Sequence, residues 1–474
     1  MENRHSLSAG EKVSYGLGAV GKDMVYMLSA SYVLYYFQDI LGVSAVAMGF
    51  ILMAARIFDA FNDPIMGVIV AKTKTRWGKF RPWLLIGTIT NAAVLFCMFS
   101  CPPALDGPGM TAYAAVTYIL WGVTYTMMDI PYWSMIPAFT EGGRERENLT
   151  TLARSCAGVG SAIITIVTVI CVQKLGRMIG GAGAASREVE RIGFKYFALA
   201  VAVIFVITIV LTCVNIKEKS TVDMKTASLG EMFRALITND QTLTVVLAIV
   251  LINSAMYITS NLVIYFFKYD FGGTTWYNSY TLFNTFGGAV QILSMMLFYP
   301  LLRRFFTGIR IFYICLCMEI VGYGVLLILA FTNMSNVFLL FIPGFFIFAA
   351  SGMLNVLTTV FLANTVDYGE LRNNRRDESV IFSMQTFVVK LASGVAAFIA
   401  SLSLQIFSLS QDAEAPEQAV DFSQSVAQSS KVGLRMTMTI LPIIGLFAAW
   451  SWFRKRYILD DRKLEEISLE LKRR

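Results

Sequence analysis

Apolar residues run almost unbroken along most of the chain, and short polar clusters separate the runs. Each run reaches roughly 20 residues or more, the length that crosses a hydrocarbon core. About twelve can be read, near 13–40, 45–71, 82–102, 110–140, 149–175, 193–216, 241–268, 276–301, 309–331, 337–366, 379–408 and 432–454. Segments this long with no period of two are helices rather than barrel strands, because only helices and closed barrels satisfy their backbone groups in lipid. The pattern predicts an all-α, polytopic membrane protein.

The polar clusters set its orientation. AKTKTRWGKFR holds Lys72, Lys74, Arg76, Lys79 and Arg81 with no acid, which places it on the cytoplasmic side. Alternate connections agree: RERE near Arg144, KEK near Lys217, Arg303 with Arg304, and RNNRR near Arg376. Both termini are then expected in the cytoplasm. The leading MENRHSLSAGEK lacks a short apolar segment with a small-residue cleavage site, so no signal peptide is expected. The segment 217–240 separates two halves of about six runs each, giving an expected N-terminal bundle at 1–216, a cytoplasmic middle loop at 217–240, a C-terminal bundle at 241–455 and a tail at 456–474. Ser410 to Ser430 is polar and poor in aromatics, and is expected to be a mobile loop.

Composition narrows the class. Hydrophobic residues make up 56% and charged residues 15%, and the mean hydropathy is +0.61, too apolar for a soluble chain of 474 residues. The net charge of +7 is carried by the cytoplasmic loops beside anionic lipid, and a nucleic-acid partner has no support. The seven cysteines lie in or beside apolar runs without metal-ligand spacing. His5 is the single histidine, so no histidine triad, metal site or proton relay can operate inside the membrane.

Against this background the charges inside the runs stand out. ARIFDAFNDPIMG carries Arg56, Asp59 and Asp63 on one stripe, the two acids ~40° apart in azimuth and ~6 Å apart along a helix. Two carboxylates this close need a cation or a proton between them, and hard cations take oxygen ligands, so the pair reads as a Na⁺, Li⁺ or H⁺ site. The rival reading is an ion-pair network that pins helices. In YTMMDIPYW, Asp129 lies one turn from Tyr125, Thr126, Tyr132 and Trp133, an acid with aromatic planes suited to a sugar. GKDMVY adds Lys22, Asp23 and Tyr26, the fifth run adds Arg154, and QTFVVK adds Gln385, Thr386 and Lys390. Lys22, Arg56, Arg154 and Lys390 balance Asp23, Asp59, Asp63 and Asp129, so an added Na⁺ or H⁺ leaves one positive charge for the membrane potential to pull inward.

At these residues the chain resembles a known family. YGLGAVGKD, ARIFDAFNDPIMG, RWGKFRPWLLIGT, TYILWGVTYTMMDIPYWS and VDYGELR are similar to the glycoside–pentoside–hexuronide:cation symporters of the major facilitator superfamily, most of all the melibiose carriers. The resemblance implies the major-facilitator fold of two six-helix bundles in a bacterial inner membrane, and alternating-access symport of a galactoside such as melibiose with Na⁺, Li⁺ or H⁺, without a cofactor. It implies a cation site at Asp59, Asn62, Asp63 and Thr126, and a sugar pocket at Lys22, Asp23, Asp129, Trp133 and Arg154, faced by Lys390 and its neighbours. Arg146, Asp367 and Arg376 match a cytoplasmic gate. Two positions depart: Asn355 stands where melibiose carriers have tryptophan and Asn364 where they have an acid.

Other readings are another glycoside, pentoside or hexuronide as cargo, or a sodium-coupled lipid carrier of the same superfamily, against which Asp129 and Trp133 argue. A membrane enzyme would need a motif such as HExxH or GxSxG, and neither occurs. The implied partners are therefore a sugar, a monovalent cation and membrane lipid; the sequence names no regulatory cytoplasmic protein.

Overall fold

Among the described residues, twelve long helices carry the apolar runs, because a run without water must close its backbone bonds within itself. The computed structural model describes residues 7–136, 143–181, 185–216, 230, 234, 237–332, 334, 336–373, 378–409 and 421–473. In chain order the helices are α1 (Ala9–Tyr35), α2 (Ala45–Lys72), α3 (Arg81–Met98), α4 (Gly107–Ser134), α5 (Gly143–Gly180) and α6 (Ser186–Asn215), then α7 (Asp240–Tyr265), α8 (Trp276–Leu293), α9 (Gly308–Thr332), α10 (Val337–Asn373), α11 (Glu378–Ile406) and α12 (Gln428–Arg456). A short amphipathic helix, α13 (Asp461–Arg473), follows.

Local chemistry sets several boundaries. Ser8 and Glu11 form a reciprocal capping box on α1, and the Asn239 side chain accepts the Thr242 N–H at the start of α7. Proline stands within the first two positions of α3 and α4, where no backbone donor is lost. Pro131 lies inside α4 and removes one bond from its ladder, beside Asp129.

Ten of the twelve are long and apolar enough to cross a membrane by length and composition; α1 and α4 are the two that are not. Both have the length, at 27 and 28 residues, but α1 carries Lys22 and Asp23 and α4 a run of threonines and tyrosines with Asp129. The two helices that fall short hold five of the expected sugar residues, Lys22, Asp23, Tyr26, Asp129 and Trp133.

The chain divides into two compact units, the first taking the described residues as far as 216 and the second those from 230 to 473. In the first, α1 packs on α5 and α6, α3 on α4 and α6, and α2 on α4. In the second, α7 packs on α11 and α12, α9 on α10 and α12, and α8 on α10. The same neighbour pattern occurs in both, an internal repeat. It extends to detail: α1 and α7 each continue into a π-helical turn (Tyr36–Ile40 and Phe266–Phe271), followed by Gly42 and Gly272 with φ of +76° and +75°. Such φ values favour glycine.

Part of the expected mobile loop is ordered. Residues 410–420 lie outside the described residues, but Asp421 ties the remainder down, accepting the Gly273 N–H at 2.9 Å and the Ser423 N–H at 3.0 Å, and α12 already begins at Gln428. Burial opposes the charge of Asp421, yet the bonds from Ser423, Gly273 and Gln424 outweigh it and hold its carboxyl below the ordinary aspartate value.

Candidate functional site

The stripe ARIFDAFNDPIMG folds into α2 with its polarity reversed relative to a soluble helix. Ile57, Phe58, Phe61, Ile65 and Ile69 are exposed on the outside, while Arg56 and Asp59 are buried, 7% and 6% exposed. Lipid takes the apolar face, and the charges turn toward α4.

There they meet a prepared surface. Asp59 lies against Gly122, where a Cβ would collide with its carboxylate oxygens. One turn further along both helices, Thr126 Oγ1 donates to Asp63 Oδ1 at 3.0 Å. Arg56 Nη1 pairs with Asp59 Oδ2 at 3.7 Å. The Nδ2 of Asn62 is buried with no hydrogen-bond partner. Helix α4 is braced from behind: Asn91 Nδ2 donates to Trp121 O and to Thr124 Oγ1, each at 2.9 Å, and Gly87 admits the backbone of Met127 and Met128. Two carboxylates and a hydroxyl thus gather as hard oxygen donors, and Arg56, Asp59 and Asp63 sum formally to one negative charge. That set fits a monovalent cation.

A second cluster lies between α1 and α4. Lys22 Nζ is 2.8 Å from Asp129 Oδ1 and 3.0 Å from Asp23 Oδ2, and it donates to Tyr125 Oη at 3.2 Å. Its side chain is only 4% exposed, against 18% and 31% for the two carboxylates. The ammonium therefore sits behind, and the acceptors stand in front. Trp133 Nε1 donates to Asp129 Oδ1 at 3.1 Å, and the Arg154 guanidinium lies 4.1 Å from the Trp133 ring centroid. Lys22 itself is 5.0 Å from that centroid. An ammonium between two carboxylates, with an indole held by one of them, offers hydroxyl acceptors beside an aromatic plane.

The backbones that carry these groups are fixed elsewhere. Gly160 of α5 lets that helix approach the Val20 backbone of α1, and Arg154 on the same helix reaches the Trp133 ring that Lys22 also faces. Tyr15 and Tyr132 stack at 4.5 Å and exchange hydroxyl-to-carbonyl hydrogen bonds, joining α1 to the end of α4. Between the two clusters runs an aromatic ladder. Tyr118 stacks on Trp121 at 5.8 Å, Trp121 on Tyr125 at 5.2 Å, and Tyr26 leans on both Trp121 and Tyr125.

Of the expected residues, the structure brings together Lys22, Asp23, Asp129, Trp133 and Arg154, with Tyr26 next to them, and separately Asp59 and Asp63 with Thr126. Lys390 belongs to α11 of the second unit, where its carbonyl accepts from Ser393 Oγ. The side chains of Gln385, Thr386, Arg146 and Asp367, and all of Arg376, fall outside the described residues. Sequence reasoning passed over Tyr118, Trp121, Gly122 and Asn91. The signal was present in Tyr118, Trp121 and Tyr125, which recur at three and four residues on one helical face, together with Gly122 at the turn that meets Asp59.

Comparison with known proteins accords with this geometry. The family described as MFS/sugar transport protein matches residues 14–461. The lactose permease of Lactobacillus delbrueckii subsp. bulgaricus is 26% identical over 96% of this chain and 71% of its own length. The putative glycoside/cation symporter YagG of Escherichia coli (strain K12) is 25% identical over 98% of this chain and 95% of its own. Among solved structures, a bacterial homolog of the human lysosomal transporter Spinster superposes with a TM-score of 0.66 at 12% identity, covering 97% of each chain, a likeness of fold alone. With a family match that spans both units and ten helices fit to cross a bilayer, the chain belongs to the MFS/sugar transport protein family, among the glycoside–cation symporters of the major facilitator superfamily, as a multi-pass transporter of the bacterial inner membrane.

Proposed function

We propose that the chain is a secondary active transporter that couples a monovalent cation, Na⁺, Li⁺ or H⁺, to uptake of a galactoside such as melibiose. The observation that carries this reading is the pair of clusters on one helix. Asp59 and Asp63 meet α4 at Gly122 and Thr126, and Lys22 meets it at Tyr125 and Asp129. A cation supplies the positive charge that the first cluster lacks. The sugar hydroxyls donate to Asp23 and Asp129, and its apolar face lies on Trp133. Relatives named as a lactose permease and a glycoside/cation symporter support the class of cargo.

The exposed guanidinium of Arg154 beside Trp133 favours a second reading, a hexuronide whose carboxylate it would bind. Proteoliposomes loaded with an imposed Na⁺, Li⁺ or H⁺ gradient and offered labelled melibiose, lactose or a glucuronide distinguish the two. Uphill accumulation of a galactoside under one of the cation gradients is expected. Accumulation of the glucuronide alone selects the second reading, and gradient-independent uptake of every sugar rejects coupling.

A further inference from the structure

The second unit holds an acid that neither cluster uses. Glu319 lies in the buried stripe of α9, with Cys315 and Tyr323 one turn to either side, and all three are 0% exposed. Its Oε1 and Oε2 are both buried, and neither has a hydrogen-bond partner. The hydroxyl on the next turn is already engaged, since Tyr323 Oη and Thr259 Oγ1 share a hydrogen bond of 2.9 Å.

Among the described residues, the two long helices packed directly on α9 place no countercharge beside it. Of those that share its apolar cluster, α10 has no ionisable side chain from Val337 to Val366, α12 has none from Met436 to Phe453, α7 has only Tyr257 between Gln241 and Ile264, and α11, which adds Val388, carries Lys390 two residues further on but packs chiefly on α7. On α9 itself the ionisable neighbours are the thiols of Cys315 and Cys317 and the phenols of Tyr313 and Tyr323, while Arg303 and Arg310 stand at or before its first turn. An ionised carboxylate here would surrender its hydration for nothing in return, so Glu319 is a neutral acid in this packing. Even the neutral acid leaves a buried O–H and a buried carbonyl unmatched, a burden native interiors rarely keep without a use.

We propose that Glu319 is a proton-binding site of the second unit, separate from the aspartate pair of α2, and that its occupancy is linked to conformation. The packing around α9 described above retains the proton. A conformation that admits water to α9 relieves both unmatched atoms and lets the acid ionise: the O–H bond breaks, the electron pair stays on the carboxylate and the proton passes to water. Raising the pH then draws the population away from the packed form, and lowering it restores that form.

Two measurements on the full-length protein in nanodiscs test this. Infrared spectroscopy reads the carbonyl stretch of a protonated carboxylic acid. At neutral pH the wild type should show such a band, sensitive to deuterium exchange and to ¹³C-glutamate labelling. It should persist in Glu190→Gln, a buried acid held by Tyr35 and Gln173, and vanish in the isosteric Glu319→Gln. Absence of a glutamic-acid band from the wild type, or its survival in Glu319→Gln, overturns the site. Spin-label distances between α9 and α10, followed across a pH titration, read the linkage. The wild type should shift with pH and Glu319→Gln should not; the same pH response in both overturns the linkage. The labelled wild-type band decides the protonation state even if the variant fails to fold.

Discussion

Lys22 gathers a site around one buried ammonium: two carboxylates, a phenol and the indole ring of Trp133 lie within its reach. Of these, Asp129 does most, since a single oxygen faces both Lys22 and the Trp133 N–H. Replacing it with asparagine removes the charge that makes it a strong acceptor, and losing a charge-assisted bond costs about 1.5–3 kcal/mol. Asp129→Asn should therefore weaken galactoside binding at least roughly tenfold, and isothermal titration of purified protein checks it. An unchanged affinity would mean that Asp129 serves only to neutralise Lys22. At this scale much of the site could be read from the chain, because charge inside an apolar run is conspicuous. What could not be read is which charge stands behind and which in front: the near-complete burial of Lys22 and the greater exposure of its partners depend on how α1 is seated on α5 and α6, not on any local spacing.

Helices α5 and α6 show how small residues set the spacing of the elements. A Cβ on Gly176 would strike the Val189 carbonyl, and one on Gly193 would strike the Val172 carbonyl, so each helix presses a glycine into the backbone of the other. In lipid, helices associate through such close approach rather than by hiding apolar surface from water. Gly176→Val or Gly193→Val must push the two backbones apart, and since α5 carries Arg154 and packs on α1, the displacement reaches the sugar cluster. The expected result is a lower yield of monodisperse protein and a lower melting temperature for either variant, with Gly158→Ala as a neutral control because nothing lies within 4 Å of its Cβ position. Equal thermal stability of all three would show that the contact is slack. The helices themselves were legible from hydropathy to within a few residues at most ends. The repeat was less so, although Tyr35-Tyr36-Phe37 and Tyr265-Phe266-Phe267 followed by Gly42 and Gly272 mark equivalent π turns. Their local signal is three aromatics and a glycine, which many membrane helices share.

For the transporter as a whole, cation and sugar must influence each other, and the first unit offers a short route. Thr126 touches Asp63, Tyr125 touches Lys22, and both belong to one turn of α4, backed by the ladder from Tyr118 to Tyr125. Coupling through such a route is a free energy and is reciprocal: sodium should tighten sugar binding by the factor by which sugar tightens sodium binding, on the order of 5–150-fold for typical coupled sites. Asp63→Cys isolates the effect. It removes the acceptor of the Thr126 hydroxyl and one proposed cation ligand, yet Arg56 keeps its pair with Asp59 and the sugar cluster keeps every member. The variant should fold, bind sugar and catalyse downhill exchange, while sodium enhancement of sugar affinity and uphill accumulation are lost. If α2 carried its charges only to pin helices, the same variant would lose only the Thr126–Asp63 bond between α2 and α4, about 1.5–3 kcal/mol, and would show a lower melting temperature with an unaltered sodium response. Sugar affinity of the purified, monodisperse variant with and without Na⁺ separates these outcomes. A wild-type response to sodium would remove the aspartate pair from the coupling site, and with it the reason a lipid-facing helix carries Arg56, Asp59 and Asp63.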